Sequence, residues 1–306
     1  MKNDINCIIL CAGAGSRMNC ETKNKVCFDI MGKPAVVRVI ESLQECGISK
    51  FIVVVGNKSK SVMNAVSHIK GVTFAYQKEQ AGTGNAAMCG LKILNDFEIP
   101  GPVLMVMGDK LINKAVFHKL IDDFYSENND ISLITQPSQF NSSGGKIVIK
   151  DGKLIGIVEH MDLLLLKIKE LLKKGLSLDE ACVELNLTEK QKNKLAKKTD
   201  KLNPPYEDCF IEINGIKLSS EDILSSGMVN CATYLYKRNA INNSLKGLSH
   251  DNAQNEFYFT DTVMEIAKKG KVSYVKVPER KLIHTFNTME ELDAINNYFK
   301  EAGTVE

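Results

Sequence analysis

A short apolar run, Ile5 to Leu10, empties directly into the turn Cys11-Ala12-Gly13-Ala14-Gly15-Ser16-Arg17-Met18. This junction constrains the fold more than any other feature. A buried strand that ends in closely spaced glycines lets backbone N–H groups approach a phosphate chain. The segments that follow fit the same plan. Phe51 to Val55, Val72 to Tyr76, Val103 to Met107 and Ile131 to Thr135 are short apolar runs rich in β-branched residues, too short for helices. Helical patterns lie between them, one from about Ala35 to Leu43 and an alanine-rich one starting near Gly84. Continuous apolar strands alternating with helices predict an α/β, Rossmann-like three-layer fold with a mostly parallel sheet covered on both faces. Ligands of such sheets bind outside the carboxyl ends of the strands, where the strand order reverses.

The texture changes after residue 140. Lys146 to Ile149 and Leu154 to Val158 flank Asp151-Gly152, which predicts a hairpin. Leu163 to Lys174 reads as an amphipathic helix. Ser177-Leu-Asp-Glu180 and Thr188-Glu-Lys-Gln191 are capping boxes, each opening a short helix. The α/β pattern resumes at Val229 to Tyr236. The expected organisation is one domain over 1–306 with a helical insertion at 162–222. Leu164, Ile168, Leu171, Leu172, Leu185 and Leu187 form apolar faces that need a partner: the parent domain, a lid contact or a second subunit in a homodimer.

Composition excludes several classes. Lys+Arg 39 against Asp+Glu 37 gives no global basic field, and there is no Trp. Residues 176–198 faintly resemble a helix-turn-helix, but the rest of the chain is neutral, so nucleic acid is not the expected partner. No apolar run reaches the roughly 18 residues that span a bilayer, so no membrane contact is expected. Nine cysteines, with no Cys-x-x-Cys, fit thiols in a reducing cytoplasm.

Three nucleotide readings compete at the glycine turn. A dinucleotide fingerprint needs a small residue where Met18 stands and an acid after the second strand, where Gly56-Asn57 follows. A Walker loop needs Gly-Lys-Ser/Thr, and Gly32-Lys33-Pro34 is not that. A nucleotidyltransferase loop uses Gly-x-Gly-Ser/Thr-Arg-Met and a lysine downstream, which Arg17 and Lys25 supply. Four further motifs follow in order: Gln77-Lys-Glu-Gln80-Ala-Gly82-Thr83-Gly84-Asn85-Ala86, Gly108-Asp109, Gly156-Ile-Val-Glu159-His160 and Asn252-Ala-Gln-Asn255-Glu256-Phe-Tyr-Phe-Thr260-Asp261. With these the chain resembles the sugar-1-phosphate nucleotidylyltransferases, most of all the uridylyltransferase domain of the bacterial N-acetylglucosamine-1-phosphate uridylyltransferases. The resemblance covers most of the chain outside the insertion.

The resemblance implies the nucleotidyltransferase version of the fold, transfer of uridylyl from UTP to a sugar 1-phosphate, and Mg²⁺. Another sugar phosphate such as glucose 1-phosphate, another nucleotide, or a regulatory nucleotide-binding protein stays open. Arg17 would grip pyrophosphate, and Lys25 the α-phosphate and the attacking phosphate. Leu10, Ala12, Gly13, Gly15, Gln77, Gln80, Gly82 and Thr83 would hold the nucleotide. Gly145, Glu159 and Asn230 would hold the sugar, and Asp109 and Asn252 the metal. No hexapeptide-repeat tail is seen, so acetyl transfer is not expected. Several positions depart from the family pattern. Asn24 replaces a proline, which predicts a looser approach to Lys25. Asn85 replaces histidine, Lys110 a small or apolar residue, Cys231-Ala232 a Thr/Ser-Gly pair, and Asn255 a glycine.

Overall fold

The computed structural model describes residues 4–15, 18, 22–199 and 208–303. Its centre is a nine-stranded sheet. In chain order the strands are β1 (Asn6–Cys11), β2 (Lys50–Val55), β3 (Val72–Tyr76), β4 (Val103–Met107), β5 (Ile131–Pro137), β6 (Lys146–Lys150), β7 (Lys153–Val158), β8 (Met228–Tyr236) and β9 (Val272–Lys276). β1 pairs in parallel with β2 on one side and β4 on the other, and β2 pairs in parallel with β3. The order therefore reverses at β1. β8 runs antiparallel beside β4 and pairs with β5 and β6 as well, and β9 lies parallel to β5.

The period of two sorts each strand onto two cores. Cys7, Ile9 and Cys11 of β1, with Phe51, Val53 and Val55 of β2, pack under α1 (Ala35–Glu45), α2 (Ser59–Val66) and α4 (Lys114–Ser126). Ile8, Leu10, Ile52 and Val54 point the other way, into α3 (Thr83–Asp96), α9 (Arg238–Ser244) and α10 (Asp261–Ala267). The α/β architecture and mostly parallel central sheet expected from the alternation are both present.

The Asp151-Gly152 hairpin forms between β6 and β7, with φ 49° and 74° at its two turn residues, as a primed turn requires. In the 162–222 segment, α5 (His160–Lys173) is followed by α6 (Leu178–Glu184) and α7 (Glu189–Thr199). Both capping boxes form: Ser177 with Glu180, and Thr188 with Gln191. The segment is not helical throughout. Ile211–Ile213 and Ile216–Leu218 make a hairpin across Asn214-Gly215, both at positive φ, and α8 (Ser220–Leu224) follows.

α5 buries two stripes within the chain. Leu163 and Leu166 pack with Val148, Val158, Ile213 and Leu218. Leu164 and Ile168 pack with Cys182, Leu187, Leu195 and Ala253, and Leu172 and Leu185 lie against the same cluster. Leu171 is buried too. The apolar positions that raised a second subunit thus find their partners in their own chain. Lys194 donates to Gln254 at 3.1 Å and Lys198 to Asn255 at 2.8 Å, and the backbone N–H of Ala253 donates to Asp162 at 2.8 Å. The segment is latched to the 252–255 turn. No helix among the described residues is long and apolar enough to cross a membrane.

Candidate active site

The motifs follow the carboxyl ends of the parallel strands: Ala12 after β1, Gly56 after β2, Gln77 after β3, and Gly108-Asp109 after β4. Gly108 donates its N–H to Leu10 at 3.1 Å, which joins the two turns at the point where strand order reverses. A cleft of about 280 Å³ opens there, lined by Leu10, Gly13, Gly15, Lys25, Asp109 and Asn287 among others. The Lys25 ammonium is largely buried and donates to the Asp109 carboxylate and, at 3.0 Å, to Asn287 Oδ1. It also lies 5.3 Å from the centre of the Phe286 ring. Arg17 lies outside the described residues.

Asn24 does not loosen the approach to Lys25; it fixes it. Its buried amide nitrogen reaches the carbonyls of Cys11 (3.2 Å), Gly13 (3.1 Å) and Asn57 (2.8 Å), and Oδ1 accepts from Val26 N–H at 3.1 Å. Its φ of −66° is one a proline adopts without strain, but its N–H donates to Ser61 Oγ at 2.9 Å, a bond that a proline could not make. The asparagine adds a clamp between the glycine turn and the lysine that follows it. Asn24→Ala leaves three carbonyls and one N–H without this partner, and should lower stability by about 2–4 kcal/mol in denaturant unfolding. A loss under about 0.5 kcal/mol would show the clamp to be idle.

Among the residues expected at the nucleotide, a Cβ on Gly56 would sit 2.7 Å from Gln80 Nε2 and 2.9 Å from Ala12 Cβ. Gln80 is exposed and reaches over the first turn. Gln77 is buried, and its amide is committed: it donates to Gly82 O at 3.2 Å and to Asn85 Oδ1 at 2.9 Å. It shapes the turn that Asn85, in place of the family's histidine, helps to close. That turn is zipped to the last motif. Gly84 N–H donates to Phe257 O at 2.7 Å, Phe257 N–H to Ala81 O at 2.9 Å, and Phe259 N–H to Thr83 Oγ1 at 3.2 Å.

Among the residues expected at the sugar, Asn230 N–H donates to Gly145 O at 2.9 Å, and a Cβ on Gly145 would lie 3.4 Å from Glu159 Oε1. Those three residues are brought together. Thr260 holds the same carboxylate at 2.8 Å. The Asn230 side chain, however, turns inward. It donates to the Tyr234 hydroxyl and accepts from Ala232 N–H at 2.9 Å, closing a bulge in which Ala232 has φ 48°. Burial raises the Glu159 pKa, and Asp162 and Glu256 raise it further. Burial, Asp162 and Glu159 push Asp261 up to about 7.

Folded Asp261 therefore keeps its proton up to about pH 7, while the unfolded chain loses it near 3.8. The folded state binds more protons between those values, so stability falls as pH rises through that window. Asp261→Asn removes the penalty. Its melting temperature should exceed the parent's by about 2–4 °C near pH 8, with the gap closing near pH 4. An equal gap at both pH values would contradict the shift.

Asn252 is not brought to Asp109 in the lining of the cleft. Its Nδ2 donates to Glu256 O at 2.6 Å, and its Oδ1 accepts from Gln254 N–H at 3.2 Å and Glu256 N–H at 3.3 Å. Among the described residues no cluster of three His, Cys, Asp or Glu could hold a metal by itself. The donor set still fits magnesium, which takes one or two carboxylates and leaves its other positions to phosphates and water. Asp109 would be that carboxylate.

Residues that the sequence did not single out complete the site. Asn57, Asn287, Phe257 and Thr260 each hold a residue that it did. Only the last two lie inside a quoted motif.

A family model described as the MobA-like NTP transferase domain matches residues 7–196. This chain belongs to that family. Among its relatives are bifunctional protein GlmU of Clostridium botulinum strain Kyoto, 28% identical over 283 residues, with 91% of this chain and 49% of the relative covered. GlmU of Caldanaerobacter subterraneus is 28% identical over 265 residues, covering 86% and 44%. The chain spans about half the length of the curated relatives it matches. A glucose-1-phosphate thymidylyltransferase structure from Bacillus anthracis aligns with TM-score 0.61 and 17% identity, covering 96% of this chain and 94% of that one. A UDP-glucose pyrophosphorylase complexed with UDP-glucose aligns with TM-score 0.67 and 15% identity, covering 97% and 98%. These two establish the fold. The likeness to sugar-1-phosphate nucleotidylyltransferases read from the motifs holds in both comparisons.

Proposed function

We propose that this MobA-like chain transfers uridylyl from UTP to a sugar 1-phosphate, with N-acetylglucosamine 1-phosphate as the acceptor, releasing pyrophosphate. The observation that carries the reading is one cleft, at the reversal of strand order, lined together by the glycine turn, Lys25 and Asp109. The uridylyl and N-acetylglucosamine assignments rest on the likeness to GlmU.

The acceptor phosphate is already an anionic nucleophile, so no general base is needed. Its oxygen attacks the α-phosphorus, a P–O bond forms, and the bond to pyrophosphate breaks in line. Catalysis is then positioning and charge neutralisation. Lys25, held by Asn287, is the cation aimed at the reacting phosphates, and Arg17 takes the departing pyrophosphate. Gln80 meets the base over Ala12, with Gln77 keeping the Gly82-Thr83 turn in place. Glu159 accepts from sugar hydroxyls at Gly145, and Asn230 sets the bulge beside them. Asp109 would hold Mg²⁺, which would neutralise charge on the phosphates when bound.

The test is a matrix of nucleoside triphosphates against sugar 1-phosphates, read as nucleotide-sugar formed. UTP with N-acetylglucosamine 1-phosphate should give the highest kcat/KM. Chelation should lower its rate by on the order of a hundredfold or more, and Mg²⁺ should restore it. A different best pair would correct the substrates. Full turnover in chelator would contradict the metal.

A further inference from the structure

A second cavity, of about 430 Å³, lies beside the phosphate cleft and shares Asn287 with it. That volume suits a small molecule. Its lining is rich in donors. Lys110 is 9% exposed, and its ammonium has no hydrogen-bond or ion-pair partner among the described residues. Gln136 is 6% exposed, and its Nε2 is buried with no partner. Arg280 and Lys281 stand at the same cavity, and Lys281 pairs with Glu279 at 3.1 Å. The one acid among the described lining residues, Glu291, accepts the Asn287 N–H. A buried amide N–H without an acceptor, beside a lysine ammonium that also has none, is a costly arrangement. Such costs persist where a ligand relieves them.

We infer that this cavity is an oxyanion subsite that takes the carboxylate or phosphate of a small molecule beside the nucleotide cleft. Lys110 and Gln136 are its two unpartnered donors, and Arg280 adds charge to the lining. The anion has two possible sources. It is a substituent of the acceptor, or, with a neutral sugar as acceptor, it is a separate molecule. The binding claim stands apart from the transfer reading; the question of source rests on it.

Inorganic phosphate is the probe, measured by equilibrium dialysis on the full chain. Lys25→Met, combined with Arg17→Met, serves as background, because together they remove the two cations proposed for the neighbouring cleft. That chain should bind one phosphate. Adding Lys110→Met should weaken binding at least about tenfold, and adding Gln136→Leu about threefold or more. Lys110→Met alone should not lower the melting temperature of the ligand-free protein, since the ammonium that it removes holds no partner and the apolar chain that replaces it has similar length. A structural prop would lower it. No phosphate bound in the background chain, unchanged binding once Lys110→Met is added, or a lowered melting temperature would each overturn the proposal. Turnover then separates the sources. A substituent predicts about a tenfold preference for a hexuronic acid 1-phosphate over the hexose 1-phosphate, lost in Lys110→Met. A separate anion predicts that phosphate shifts the acceptor KM of the parent and not of Lys110→Met. Phosphate binding with neither effect, in a chain that transfers nucleotidyl groups, would mark an adventitious anion site and overturn the proposal.

Discussion

Lys25→Ala should lower kcat by on the order of a hundredfold or more, with a smaller change in the nucleotide KM. The lysine is largely buried, clamped by Asp109 and Asn287, and therefore already oriented before substrate arrives. A preorganised cation aimed at charge that develops in the transition state has an effect of this size when removed. The free ammonium would otherwise have to be fixed at the moment of reaction. Steady-state kinetics on the variant checks it, with circular dichroism to confirm the fold. An intact kcat would show that Lys25 only neutralises Asp109 and that the transferred phosphate is held elsewhere.

Gly82→Ala should be the most disruptive single methyl in the nucleotide site. Gly82 has φ 101°, a region nearly closed to residues with a side chain. An added Cβ would lie 2.7 Å from Phe257 O and 2.9 Å from Phe257 N, both backbone atoms. Neither can swing aside without breaking the bonds from Gly84 and to Ala81 that zip the two motifs together. The variant should lose about 3 kcal/mol or more of stability in denaturant unfolding, from backbone strain and broken bonds together. Its nucleotide KM should rise at least about tenfold, because the Gly82-Thr83 turn no longer holds its place. A variant with parental stability and KM would mean that the zipper is not what positions this turn.

Local patterns in the chain carried much of this arrangement. The strand-to-glycine junction, the Asp151-Gly152 hairpin and the capping boxes at Ser177 and Thr188 depend on residues within a few positions of each other, so periodicity and turn chemistry reveal them. The Asn214-Gly215 hairpin carried the same kind of signal inside a segment read as helical. What stayed hidden depends on contacts across the chain. Asn287 meets Lys25 from 262 positions away, and nothing in the helix that follows it, Met289–Ala302 with Thr288 as its cap, points there. Asn24 looked like the loss of a proline, because its value lies in three carbonyls that only the folded turn assembles. The amides of Gln77, Asn230 and Asn252 were in place by motif, yet each is satisfied by its own turn. A motif fixes which residue stands at a position. It does not fix which way a side chain with local hydrogen-bond partners will face.

The central claim is that this cleft joins a nucleoside triphosphate to a sugar 1-phosphate. The most direct measurement is pyrophosphate released from UTP with and without N-acetylglucosamine 1-phosphate, alongside the nucleotide-sugar formed. The account predicts release only when the acceptor is present, one pyrophosphate for each nucleotide-sugar. Release that proceeds equally without acceptor, or no release with any sugar 1-phosphate and any triphosphate, would contradict it.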